Sequence, residues 1–263
     1  MTHDHSIPAS EVLQPASSPF LSEAIHSASS DELAAAASDP ALTEEFALAL
    51  LKRTDLPAEI VARLSKNGNV IMLRKVKLAL VEHARTPRHI SIPLLRQLFI
   101  FDLMRVAIQP TVPADIKRVA DEVLVNRLET IPSGERLSLA KRASGLVAAA
   151  LLLDSEPRVV RAALENSRLT EASVIKALTR RDAQSWFIQA VCHDGKWSPR
   201  REVRVALLRN EKTPLPQALE FARSLPLALV HEVLQSSRLP ANTRSLLLRE
   251  IRVRTGNRSG LIS

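Results

Sequence analysis

Cys192, His193 and Asp194 are consecutive, and thiol, imidazole and carboxylate are the groups that make a cysteine nucleophile and its base. Adjacent residues of a helix point in different directions, so sulfur and imidazole meet only if the helix breaks between them. Phe187, Ile188 and Val191 nearby favour a buried structural cysteine. His193 then stands near a helix C-terminus, where partial negative charge suits it. His3 and His5 flank Asp4 and could ligate copper or nickel, His3 being in the third position used by amino-terminal copper sites. Loss of Met1 before the small Thr2 would spoil that spacing, and the favoured reading is a solvated tail. Asp102, between Phe99-Ile100-Phe101 and Leu103-Met104, reads as a buried acid or as the cap of the next helix, and the cap is expected.

Other chemistries lack their residues. The six glycines, Gly68, Gly134, Gly145, Gly195, Gly256 and Gly260, have no spacing that makes a phosphate loop, and neither a Gly-x-Ser-x-Gly elbow nor a His-Glu-x-x-His helix occurs. A single cysteine allows no intramolecular disulfide and no thiolate-only zinc or iron–sulfur site. No enzyme class and no cofactor is therefore expected.

The elements that must carry these residues are helices. Hydrophobic residues make up 46% of the 263, aromatics only 3%, and Tyr is absent, a mixture that favours helix over sheet. No apolar run is long enough for a signal peptide or a membrane span, so a cytoplasmic protein without a membrane is expected. Residues 1–50 hold eight acids and no Lys or Arg, which leaves 36 cations against 20 acids, or +16, on residues 51–263. That asymmetry suggests a polyanionic partner for the body, or an acidic head that folds back on it. Three regions are predicted: a disordered acidic tail over 1–29, a helical-repeat body over 30–252 and a basic disordered tail over 253–263. Ser29 and Glu32 have capping-box spacing at the first helix, which Asp39-Pro40 closes.

The body repeats. Val76-Lys77-Leu78-Ala79-Leu80, Val160-Arg161-Ala162-Ala163-Leu164 and Val203-Arg204-Val205-Ala206-Leu207 share one pattern, with looser copies starting at Phe46, Met104 and Val230. Pro57, Pro87, Glu171 and Pro214 each lie eleven positions after a block start, preceded in three copies by Thr86, Thr170 or Thr213. Thr at N-cap followed by Pro or Glu at N1 is a sound helix start. Leu56, Val112 and Leu239 fill the same slot without a capping oxygen. The 56-residue interval from 104 to 160 is twice 28 and hides a degenerate copy near Leu137-Ser138-Leu139-Ala140, while the 43-residue interval from 160 to 203 holds an additional helix around residues 183–193, ended by Gly195. Helix pairs this short must stack to bury their apolar faces.

Ser155-Glu156-Pro157-Arg158-Val159-Val160-Arg161-Ala162 with Asn166-Ser167-Arg168-Leu169-Thr170-Glu171, and Val203-Arg204-Val205-Ala206 with Asn210-Glu211-Lys212-Thr213-Pro214, resemble the leucine-rich repeat variant and related HEAT-like repeats of bacterial proteins, over roughly residues 40–250. The resemblance implies an all-α, right-handed α-solenoid that serves as a binding scaffold. One branch of that family holds an iron–sulfur centre on a cysteine cluster, which Cys192 alone cannot do. HEAT-like solenoids also include DNA glycosylases, whose sites need aromatic walls and a carboxylate. Asp182 and Trp186 share a helix face and Trp197 is near, but two tryptophans make a poor aromatic cleft.

The expected function is a non-catalytic scaffold with another protein as partner. The alternative is sequence-independent binding of nucleic-acid phosphates; a glycosylase ranks third. For the alternative, the second block position supplies Lys77, Arg105, Arg161 and Arg204, with His231 in register, and stacking of successive repeats is expected to align these as a basic stripe.

Overall fold

The computed structural model describes Glu23, Ser27 and residues 29–259, the last six by their backbone alone. The predicted tail over 1–29, with His3 and His5, lies almost wholly outside the described residues. Every described element is helical: seventeen α-helices and one 3-10 turn, Leu128–Thr130. The chain divides into two compact units, residues 1–102 with 109–116 and residues 103–108 with 117–263, so the division runs through helices α7 (Ile100–Ile108) and α8 (Ala114–Arg127).

In the first unit α1 (Ser30–Ser38), α2 (Glu44–Leu51), α3 (Ala58–Leu64), α4 (Gly68–Ile71), α5 (Arg74–Glu82) and α6 (Arg88–Leu95) follow in order. α1 packs on α3, and α2 packs on α5, which also meets α4 and α6. The second unit continues with α9 (Ser133–Arg142), α10 (Gly145–Leu151), α11 (Pro157–Glu165), α12 (Glu171–Leu178), α13 (Ser185–His193), α14 (Arg201–Arg209), α15 (Leu215–Ser224), α16 (Leu227–Gln235) and α17 (Ala241–Ser259). Here α9, α11 and α13 pack in one series, and α10, α12, α14 and α16 in another. Within each series a helix thus meets the one two places on, and the apolar stripe of one closes against the next. Phe187, Trp197 and Phe221 are buried in this core.

Helices this short are marginal in isolation and depend on packing against their neighbours, and a recurring turn adds hydrogen bonds to that packing. Asp39–Leu42, His83–Thr86, Gln109–Val112, Asn166–Leu169, Arg180–Ala183 and Asn210–Thr213 each close with the N–H of the fourth residue donating to the carbonyl of the first, at 3.1–3.4 Å. This is the hydrogen bond of a β-turn, in which Asp and Asn favour the first position. The fourth residue is buried in all six. In three of these turns the first side chain acts twice. Asn166 Oδ1 accepts from Arg168 N at 2.8 Å while Nδ2 donates to Ala140 O at 2.8 Å. Asn210 Oδ1 accepts from Lys212 N at 2.8 Å and Nδ2 donates to Leu178 O at 2.6 Å. His83 Nδ1 accepts from Arg85 N at 3.3 Å, so Nε2 is the protonated nitrogen and donates to Arg53 O at 3.0 Å. Ser237 does the same from a hydroxyl, accepting from Leu239 N and donating to Leu208 O at 2.7 Å. These side chains are rungs from each turn to the helix or turn roughly one repeat earlier.

Several predicted caps differ. Ser29 precedes α1 but its side chain makes no cap bond. Thr170 is an N-cap, accepting from Ser173 N at 3.3 Å. Thr86 and Thr213 are not: Pro87 and Pro214 hold the N-cap positions. The buried Thr86 and Thr213 hydroxyls donate backward to Leu80 O at 2.5 Å and Leu207 O at 2.6 Å, closing the helix behind them. The copy at 160 runs one residue short, so Leu169 fills the buried slot and Thr170 takes the cap. α13 ends at His193 with Asp194 extended, and no described residue has positive φ, so Gly195 is not a left-handed terminator. The last helix runs on to Ser259, through most of the predicted basic tail.

Candidate interaction cleft

α11 and α13 pack side by side and leave an open cleft of about 500 Å³ between them. Its polar wall comes from helical spacing on both sides. Arg161 and Glu165 are four apart on α11, and Trp186, Gln189 and His193 lie at i, i+3 and i+7 on α13. Leu164 and Ala190 form the apolar floor. Trp186 is half-buried, while Arg161 and Glu165 are exposed. His193 Nδ1 donates to Gln189 O at 2.8 Å, which fixes the proton on that nitrogen. Nε2 then accepts from Gln217 Nε2 at 3.0 Å, tying the cleft to α15.

Cys192 points the other way. It is buried, and burial, aided by Glu220, pushes its thiol up to about 12. It is a neutral thiol at physiological pH, one helix position and a different face from His193. Asp194 belongs to the turn: its Oδ1 accepts from Lys196 N at 2.8 Å and Trp197 N at 3.0 Å. The aromatic pair is divided. Trp197 is buried and donates from Nε1 to Leu164 O at 2.9 Å, with Lys196 and Arg200 over its ring at 4.4 and 4.9 Å. Asp182 is exposed and held by Arg180 through bonds of 2.8 and 2.6 Å, which keep its carboxyl below the usual range. Trp186, Trp197 and Asp182 therefore do not wall one pocket.

Asp102 is not a cap. It is the third residue of α7, buried, and its two oxygens accept from Arg74 Nε and Nη2 at 2.7 and 2.9 Å. A carboxylate buried beside an apolar helix face needs a partner, and the guanidinium supplies a bidentate one. Asp121 on α8 is buried too. It accepts from Ser144 Oγ at 2.6 Å, and burial raises its carboxyl above the ordinary range. No group of three or more His, Cys, Asp or Glu among the described residues could hold a metal.

The five residues of the expected stripe are placed as follows. Lys77 is half-buried on α5 and donates to Gln97 Oε1 at 3.1 Å. Arg105 is exposed on α7. Arg161 is in the cleft on α11. Arg204, on α14, donates to Ser198 O at 2.8 Å and lies over Phe221 at 5.6 Å. His231, exposed on α16, accepts at Nδ1 from Gln235 Nε2 at 3.3 Å. Arg161 stands in the series of α9, α11 and α13, whereas Arg204 and His231 stand in that of α12, α14 and α16. The additional helix α13 is the reason: two helices, α12 and α13, lie between the blocks at 160 and 203, where a simple hairpin repeat has one, and this moves the pattern to the other series.

Sequence reasoning did not single out the rung residues, although Asn166 and Asn210 recur six and seven positions into their blocks. Their signal is a polar residue three places before a buried one. No helix among the described residues is long and apolar enough to cross a membrane. Comparison of the chain with protein-family models, curated proteins and solved structures finds no match.

Proposed function

We propose that this chain is a non-catalytic helical-repeat scaffold, an α-solenoid of stacked hairpins of the HEAT-like kind, which binds a partner protein in the cleft between α11 and α13. The observation that carries the reading is the composition of that cleft: a half-buried Trp186 beside an exposed Arg161, over an apolar floor. Trp and Arg are enriched among the residues that dominate protein interfaces, and such anchors lose about 2 kcal/mol or more on truncation. His193 and Asp194, which also line the cleft, are engaged in hydrogen bonds of the fold. A cytoplasmic setting accords with the single, buried cysteine.

A photo-crosslinking side chain at position 186 of the full chain, in its native cell, tests this. The expected result is one recurrent crosslinked protein, absent when the crosslinker stands at the exposed position 176. That product should fall about thirty-fold with Arg161→Glu in the same chain, the effect of losing about 2 kcal/mol. Equal labelling from positions 186 and 176, in a variant of unchanged thermal stability, contradicts the reading.

A further inference from the structure

The expected basic stripe rests on residues that the two series separate, but a different set of cations is held together by the turns. The turns after α12, α14 and α16 are successive in one series. Lys212 Nζ, in the second, donates to Ala183 O in the first at 2.6 Å. Arg238, in the third, donates from its backbone to Arg209 O at 3.1 Å and from its guanidinium to Thr179 O at 3.2 Å. One side chain therefore spans all three turns, and brings Arg180, Arg181, Arg209, Lys212 and Arg238 to one edge. Two carboxylates face them. Asp182 is bound to Arg180 at 2.6 and 2.8 Å, and Glu211 is exposed.

A structural role accounts for part of this set. Lys212 and Arg238 each spend one donor on a carbonyl, which holds the turn stack, and each keeps its remaining N–H groups and its charge. Arg181 and Arg209 are exposed, and neither has a carboxylate partner among the described residues. Stacked helices are about 8–10 Å apart, close to the physiological screening length of about 8 Å, so these cations repel one another across successive turns. A fold gains nothing from that arrangement; an anion that bridges the turns removes the repulsion.

We infer that the turns after α12, α14 and α16 form a cationic edge for the phosphate backbone of a nucleic acid, through Arg180, Arg181, Arg209, Lys212 and Arg238. Four of the five are arginines, whose planar fork donates two parallel bonds to a phosphate. Duplex DNA carries a charge about every 1.7 Å of its axis. A row of cations spaced by stacked helices therefore meets phosphates in any register. Among the described residues no aromatic side chain joins the edge to stack on a base, so contact is sequence-independent. This surface is separate from the cleft between α11 and α13, and the two readings stand or fall independently.

The test is fluorescence anisotropy with the full chain and a labelled duplex of about 24 base pairs and mixed sequence, across a salt series from about 20 mM. Arg181→Glu with Arg209→Glu removes the two cations whose side chains hold no structural bond among the described residues, so the fold is kept, and circular dichroism checks it. The wild type should bind two unrelated duplexes alike. The double variant should bind at least ten-fold more weakly at low salt, and its slope of log affinity against log salt should flatten by up to about 1.8, or 0.9 per lost phosphate contact. Lys77→Glu with Lys141→Glu, an equal change in net charge, should leave the slope unchanged. Absence of wild-type binding at about 20 mM salt overturns the inference. So does an equal loss in both double variants, which would reduce the effect to net charge. Binding of a peptide of residues 1–50 in place of DNA, lost in Arg181→Glu with Arg209→Glu, also overturns it, and assigns the edge to an acidic polypeptide.

Discussion

The turns that follow α11 and α14 and the turn that follows α13 each tie back to an element two places earlier but divide the work differently. After α11 and α14 a single asparagine both accepts the N–H two residues on and donates to a carbonyl roughly one repeat earlier. After α13 the residue is Asp194, which only accepts. The backward bond there is made by Lys196, whose Nζ donates to Asn166 O at 3.2 Å. An ionised carboxylate has no proton to give, so the donor moves two residues along the chain. The rung is thus conserved as a hydrogen bond while its residue changes. The turn after α9 is a third version, in which Ser144 accepts from Val147 N at 3.3 Å and donates to the carboxylate of Asp121.

The largest effect that can break this comparison is at a buried asparagine. Asn210→Ala leaves Leu178 O and Lys212 N without their partner, and is expected to cost about 2–4 kcal/mol in urea unfolding. Gly145→Ala comes next. A Cβ there would run into the backbone carbonyl of Arg168, so turn and helix must separate, at a cost of about 1–3 kcal/mol seen as a lower melting temperature. Lys196→Met keeps the stem of the exposed side chain but loses the bond to Asn166 O and the charge over Trp197, worth about 1 kcal/mol together. The smallest effect is a slope. Burial raises the Asp121 carboxyl above its unfolded value, so its contribution is fully present below about pH 4 and is lost as pH rises through the folded value. Asp121→Asn keeps an acceptor for Ser144, and its stability relative to wild type should rise from pH 4 to pH 7. A pH-independent difference in unfolding contradicts the assignment.

Helix class, the additional helix at α13 and the helical copy at Leu137–Ala140 were legible because apolar periodicity is local. The rungs were less so. A capping residue read from sequence is assigned to the helix that follows it, yet Thr86 and Thr213 close the helix that precedes them, and only the fold reveals which backbone end lies within reach. Asp102 illustrates the same limit: its partner Arg74 is twenty-eight residues away, a distance that no local pattern spans. The expected stripe of Lys77, Arg105, Arg161, Arg204 and His231 assumed one helix pair per repeat, and α13 breaks that count between Arg161 and Arg204.

The central claim, that a turn side chain with a backward donor ties the turns after α11, α13, α14 and α16 to the helix or turn two places earlier, is tested most directly by exchanging acid and amide in the full chain. Urea unfolding of Asn210→Asp should show a loss of about 2–4 kcal/mol, because the carboxylate keeps the bond from Lys212 N but faces Leu178 O without a proton. Asp194→Asn should change stability by less than about 0.5 kcal/mol, since Lys196 already supplies that rung. Equal losses at the two positions, or none at Asn210, would contradict it.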